Sequence, residues 1–134
     1  MEVNNSFGAV DIAISGLRAQ GKRMEVISSN VANARTTDAG KGEPYRRLEA
    51  LFKTKGDGIS GVSIDEIVQD MSDFHKVLDP GNPNADEQGY ITMPNVNTPI
   101  EMMNLTVATR AYQANAAILK RYQQMVETTL ELLR

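Results

Sequence analysis

Apolar side chains keep a strong rhythm at each end of this chain and lose it in the middle. Val3, Phe7, Val10, Ile14, Leu17, Gly21, Met24, Ser28 and Val31 fall at alternating steps of four and three. Leu105, Ala108, Tyr112, Asn115, Leu119, Tyr122, Val126, Thr129 and Leu133 do the same near the other end. A side chain that returns to one face every 3.5 residues makes the seam of a coiled coil. The pattern therefore predicts two long amphipathic helices that pair in coiled-coil fashion. The first runs from about Ser6 to Asn33, and the polar start, Met1 to about Phe7, is expected to fray. Gly16 and Gly21 lie inside that helix, where each costs ~1 kcal/mol against alanine. They either admit a closely approaching helix or leave this one weak until it is packed.

The second helix has a clear start. Thr98 suits the N-cap, Pro99 the first helical position, and Glu101 the third-position acid that reaches back. If helical to Arg134 it would be about 54 Å long at ~1.5 Å per residue. A compact globule of this length is only about 36 Å across. Such a helix does not fit inside one, which points to partners on other chains.

Between the helices the expectation is a loop from Asn33 to Pro44, then Tyr45 to Lys53 as a strand or a helical turn. Gly56 to Gly61 reads as a turn. A strand should follow from Val62, although Ser63-Ile64-Asp65-Glu66 also fits a capping box; the glycines just before it favour the strand. Asp79 to Pro99 holds four of the five prolines, so little regular structure is expected there. The fold class is thus mainly α with a small β-rich insert. One structural domain is divided into residues 1–35, 36–97 and 98–134.

Composition sharpens this picture. Leu, Ile, Val and Phe supply about 23% of the 134 residues, just above the roughly 20% below which disorder is expected. The isolated chain should be only partly ordered. The net charge of −3 and the lack of a basic block argue against nucleic acid. No apolar run is long enough for a membrane span. No charged head with an apolar core opens the chain, so a cleaved signal peptide is not expected. Cysteine is absent, which excludes disulfides and thiolate chemistry.

Candidate chemistry is sparse. Gly56-Asp57-Gly58-Ile59-Ser60-Gly61 is a literal GxGxxG, but no βαβ unit surrounds it. Asn82, Asn84, Asp86 and Glu87 hint at calcium. Counted from Asn82, however, the positions that need glycine and glutamate hold Glu87 and Met93, so a structural turn is the better reading. His75 is the sole histidine, and neither a zinc site nor a triad can be built around it. Asn4 and Asn104 open glycosylation sequons that are discounted. No enzyme activity, cofactor, metal or small-molecule substrate is expected.

The expected functional residues lie on the helix seams: Val10, Ile14, Leu17, Met24, Val31, Tyr112, Leu119, Tyr122, Val126 and Leu133. Asn30, Asn33 and Asn115 interrupt or end otherwise apolar stripes, and Gln113 lies beside the second. A buried amide without a partner is expensive, so these four should hydrogen-bond across helices and set subunit register. For Asn33 an ordinary helix C-terminus is the competing expectation.

Three blocks then carry a family resemblance. Ser28-Ser29-Asn30-Val31-Ala32-Asn33-Ala34 resembles the SxNxAN signature of the axial proteins of the bacterial flagellum. A longer loop and Pro44-Tyr45-Arg46-Arg47 follow it. Ala108-Thr109-Arg110-Ala111-Tyr112-Gln113-Ala114-Asn115 is similar to the ATRxYQAN run of their C-terminal helix. Asp79-Pro80-Gly81-Asn82-Pro83, Ala85-Asp86, Gly89-Tyr90 and Met93-Pro94-Asn95-Val96-Asn97 resemble a block of the proximal-rod subunits. Asn82 stands where histidine is common there, and Leu78 where tyrosine is.

The resemblance implies a structural subunit of the basal-body rod, in a helical assembly with itself and other rod proteins. It also implies passage through the flagellar export apparatus as an unfolded chain with no cleaved leader. The alternative is a soluble coiled-coil adaptor or export-apparatus binding module. That reading uses only the two helices and leaves the central blocks unexplained.

Overall fold

A computed structural model of the chain describes residues 4–134, with side chains described from Gly8 onward. Val3 and the side chains of Phe7 and Asn4, named above, lie outside the described residues, as does the part of the fraying expectation that falls on residues 1–3. The elements run α1 (Asn4–Ala32), β1 (Leu48–Thr54), β2 (Val62–Gln69), β3 (His75–Leu78), β4 (Tyr90–Met93) and α2 (Thr98–Leu132). The mainly-α class with a small β-rich insert is what the periodicity implied. Of Tyr45–Lys53, the part from Leu48 onward is a strand and Tyr45–Arg47 precede it, and Val62 begins a strand rather than a capped helix.

Each strand pair is a separate antiparallel hairpin. In the first, Leu48 pairs with Gln69 and Thr54 with Val62, and the register shifts between Leu51 and Phe52. Leu51 faces Glu66 while Phe52 faces Ile64, so Asp65 is the extra residue of a β-bulge. The GxGxxG segment is the turn of this hairpin: Gly56 and Gly58 have φ of +102° and +80°, a region glycine enters without penalty.

The second hairpin corrects one expectation. Tyr90–Met93 is a strand paired with His75–Leu78, inside the segment expected to be irregular. The prolines bracket it rather than interrupt it: Pro80 and Pro83 lie in the preceding turn, and Pro94 follows the last strand residue. Strand ends tolerate proline because no ladder donor is lost there.

The helices pack antiparallel, as three contacts along α1 show. A Cβ added to Gly16 would meet the Asn115 side chain at 2.8 Å, and one added to Gly21 would lie 3.9 Å from the Tyr112 ring. Asn30, further along, hydrogen-bonds Glu101. The glycine at position 16 thus admits a close helix, one of its two expected roles. Ala13, Ala19, Val26, Ile27, Ile91, Val96 and Ala108 form the buried apolar core. Three of these seven are alanine, which lets backbones approach but buries little area per residue.

The most buried face of α1 is rotated from the predicted seam. Ala13, Gly16, Ala19, Val26, Ile27 and Asn30 are buried, whereas Val10, Ile14, Leu17, Met24 and Val31 are half-buried. The physical reason is that α1 has two neighbours, α2 and the β1–β2 hairpin, and the buried face lies between them.

Candidate functional site

Asn30 is fully buried near the end of α1, and its amide is filled on both sides. Its Nδ2 donates to the Leu48 carbonyl at 2.8 Å, while its Oδ1 accepts from the Leu48 N–H at 2.9 Å. Tyr45 Oη donates to the same Oδ1 at 3.0 Å and lies 3.2 Å from Ser29 Oγ. The second Nδ2 hydrogen points at Glu101 Oε2, 3.0 Å away.

Glu101 is 1% exposed. Its other oxygen, Oε1, accepts from Arg47 Nε at 2.7 Å. Arg47 Nη1 also reaches Asp70 at 3.4 Å and Glu49 at 3.6 Å. Asn95 closes the ring: its Oδ1 accepts from the Arg47 N–H at 2.8 Å, and its Nδ2 donates to the Asp70 carbonyl at 2.9 Å. A single hub therefore joins α1, the start of β1, the end of β2, the segment before α2, and α2 itself.

This arrangement revises the expected start of α2. Asn97 is the N-cap, its side chain accepting from the Ile100 N–H. Thr98 is already helical. Glu101 does not reach back to cap the helix; it turns inward to Asn30 and Arg47. An acid in a first turn is favoured by the helix dipole in either pose, and here the half-buried Arg47 guanidinium decides between them.

The electrostatics favour the charged forms. Burial works against the Arg47 charge, yet the hydrogen bond and field of Glu101, helped by Glu49 and Asp70, raise its pKa above the ordinary value. Hydrogen bonds from the Ser72 backbone and side chain lower the pKa of Asp70, with Arg47 contributing less. A cleft of about 260 Å³ opens beside the hub, lined by Arg23, Val26, Ile27 and Phe52. The hub groups that border it, Arg47 and Glu101, are already bonded to each other. The arrangement can hold geometry, and it presents no poised nucleophile or proton donor.

The other expected register residues behave differently. Asn33, the residue after α1, donates its Nδ2 back to the Ser29 carbonyl of that helix, and Asn115 Nδ2 donates to the Ala111 carbonyl within α2. Gln113 is exposed, Leu119 and Tyr122 are half-buried, and Val126 and Leu133 are exposed. Tyr45, Arg47, Asp70, Asn95 and Glu101 are the hub members missed as site residues. The Pro-Tyr-Arg-Arg run was the one local signal for two of them.

Asn82 and Asp86 are turn residues. Asn82 Oδ1 accepts from the Asn84 N–H, and Asp86 Oδ1 from those of Gln88 and Tyr90. In the GxGxxG turn, the Asp57 side chain is exposed at the hairpin tip. Asp57→Ala should change unfolding free energy by less than about 0.5 kcal/mol. Urea titration checks it, and rods should assemble normally from that variant; a large assembly defect with stability unchanged would reopen a ligand role for the turn.

Comparisons with known proteins cover the elements that build the hub. The family described as "Flagella basal body rod protein" matches residues 11–39, and "Flagellar basal body rod FlgEFG protein C-terminal" matches residues 87–132. The first holds Asn30, the second Asn95 and Glu101. Over nearly its full length the chain is 41% identical to the flagellar basal-body rod protein FlgC of Agrobacterium fabrum, across 94% of each chain. The chain belongs to the FlgC family of flagellar basal-body rod proteins.

Identity to the FlgC of Salmonella typhimurium is 40%, over 91% of this chain and 93% of the relative. For that of Bacillus subtilis it is 36%, over 95% and 97%. The FlgC likeness runs through the insert as well as the helices, which an adaptor built of two helices does not require. As a FlgC-family member the chain is a structural subunit of the flagellar basal-body rod. No described helix is long and apolar enough to cross a membrane.

Proposed function

We propose that this subunit occupies the proximal rod and assembles helically with copies of itself and with other rod proteins through helix faces its own fold leaves uncovered. One observation carries the reading. Ile100, Met103, Val107, Ile118, Met125 and Leu132 are all exposed, by 48% to 82%. At ~100° per residue they fall on one face of α2, about 110° from the stripe that includes Ala108 and Leu119. An apolar stripe of that length does not stay in water when a partner helix is offered. The half-buried Val10, Ile14, Leu17, Met24 and Val31 of α1 supply the complementary surface, and contacts of unlike faces that do not close generate a helical filament.

In the same reading the subunit travels through the flagellar export apparatus as an unfolded chain and is not trimmed. The small core described above favours passage as an unfolded chain, because little has to be undone before threading.

Electron microscopy of basal bodies from a strain lacking only this gene tests the proposal. The expected result is a membrane-embedded base without rod or hook. Complete flagella in that strain would overturn it. Rod subunits recovered from purified basal bodies should retain their N-terminal residues, and a shortened chain would overturn the untrimmed route.

A further inference from the structure

The β1–β2 hairpin is fastened to α1 at two places. At one end Asn30 clamps the Leu48 backbone. At the other, Ser15 Oγ accepts from the Val62 N–H at 3.0 Å while donating to the Ile12 carbonyl at 2.7 Å. Gly61 sits so close to the helix there that an added Cβ would run into Ser15 Oγ and Cβ. Ser15 and Asn30 are about 22 Å apart along α1 at ~1.5 Å per residue. Leu48 and Thr54, the partner of Val62, are about 20 Å apart at ~3.3 Å per residue. The two lengths match, so the hairpin lies along the helix and is pinned at both ends.

A ribbon held at one point can swing, whereas two attachments about 20 Å apart remove that freedom. The contrast is internal to the molecule: among the described residues, β3 and β4 pack against neither helix. We propose that the β1–β2 hairpin is a splint for α1, and that Ser15 and Gly61 are positioning residues that hold its far end. Helix and hairpin then move as one stiff beam. The inference deepens the rod reading, which supplies the reason for stiffness, but the geometry is a property of the single chain.

The test is therefore made on the isolated full-length chain, and its outcome is independent of the deletion strain. Cysteine is absent, so Asp11→Cys and Lys53→Cys, both at exposed positions away from the Asn30 attachment, place two spin labels whose separation follows the angle between helix and hairpin. Pulsed electron paramagnetic resonance should give one narrow distance peak. Gly61→Val should at least double its width while circular dichroism shows unchanged helix content. If that variant loses helix, Ser15→Ala, which removes a single hydroxyl, is read by the same criterion of a broader peak. An unchanged width in the variant so read, or a parent distribution already as broad, would overturn the splint.

Discussion

Glu101→Ala is expected to lower unfolding free energy by about 2–3 kcal/mol, because it leaves a largely buried guanidinium without its closest partner. Removing one member of a buried pair costs roughly 3–5 kcal/mol. Arg47 is 20% exposed and keeps Asp70 and Glu49 within reach, so the expected loss falls somewhat below that range. Asn30 loses a partner as well, since its second Nδ2 hydrogen has only Glu101 Oε2 to meet.

Glu101→Gln should recover less than about 1 kcal/mol of this, near the value of one ordinary hydrogen bond. The Asn30 amide is oriented by Leu48, so its Nδ2 faces position 101, while Arg47 Nε donates to the other oxygen. A carboxylate can accept from both. A carboxamide must present its own NH₂ to one donor or the other. Urea midpoints of the two variants measure the difference, and a Glu101→Ala loss below about 0.5 kcal/mol, the range of ordinary surface substitutions, would show the hub to be solvated.

The second large effect is on assembly. Ile118→Asp should abolish incorporation into rods while leaving the isolated chain folded. Ile118 is 48% exposed, so a carboxylate there stays hydrated in the monomer. Once a neighbouring helix covers the stripe, the charge is buried without a partner, at several kcal/mol for each such contact. Leu119→Asp should also abolish assembly, but Leu119 is half-buried in the chain itself. That variant should lose thermal stability too. The adjacent pair therefore separates docking from folding. Basal-body yield and thermal unfolding read the two effects, and normal incorporation of Ile118→Asp would sink the assignment of the outer stripe.

Much of this was legible in the residues, for physical reasons. A strict stripe over nine positions at each end has few interpretations other than a long helix. Gly16, costly in a helix interior, left a close approach or a weak helix open, and the Asn115 contact decides for the first. What the stripe could not show was which face would be covered, because α1 has two neighbours and pairing with either was consistent with the spacing. Asn30 stood out as an amide too well placed to be idle. Its main partner, the Leu48 backbone, belongs to a strand whose position periodicity does not encode. Glu101 was misjudged because a first-turn acid is equally at home capping the helix or turned into a core, and only Arg47, 54 residues away in sequence, decides between them. The strand at Tyr90 was hidden by flanking prolines that in fact mark its limits.

The hub also imposes an order of events. Asn30 and Glu101 are 71 residues apart in sequence, and Asn30 and Leu48 are 18 apart. α1 and the β1–β2 hairpin draw on one contiguous stretch, so they can meet as soon as that stretch is free. Closure over the longer span must wait until more than half of the 134 residues are unconfined, whichever terminus leads. Long-range closure is the slow step in such chains. The last lock to engage is thus the one that joins the two ends, and a polypeptide still held in a narrow passage stays open at that joint.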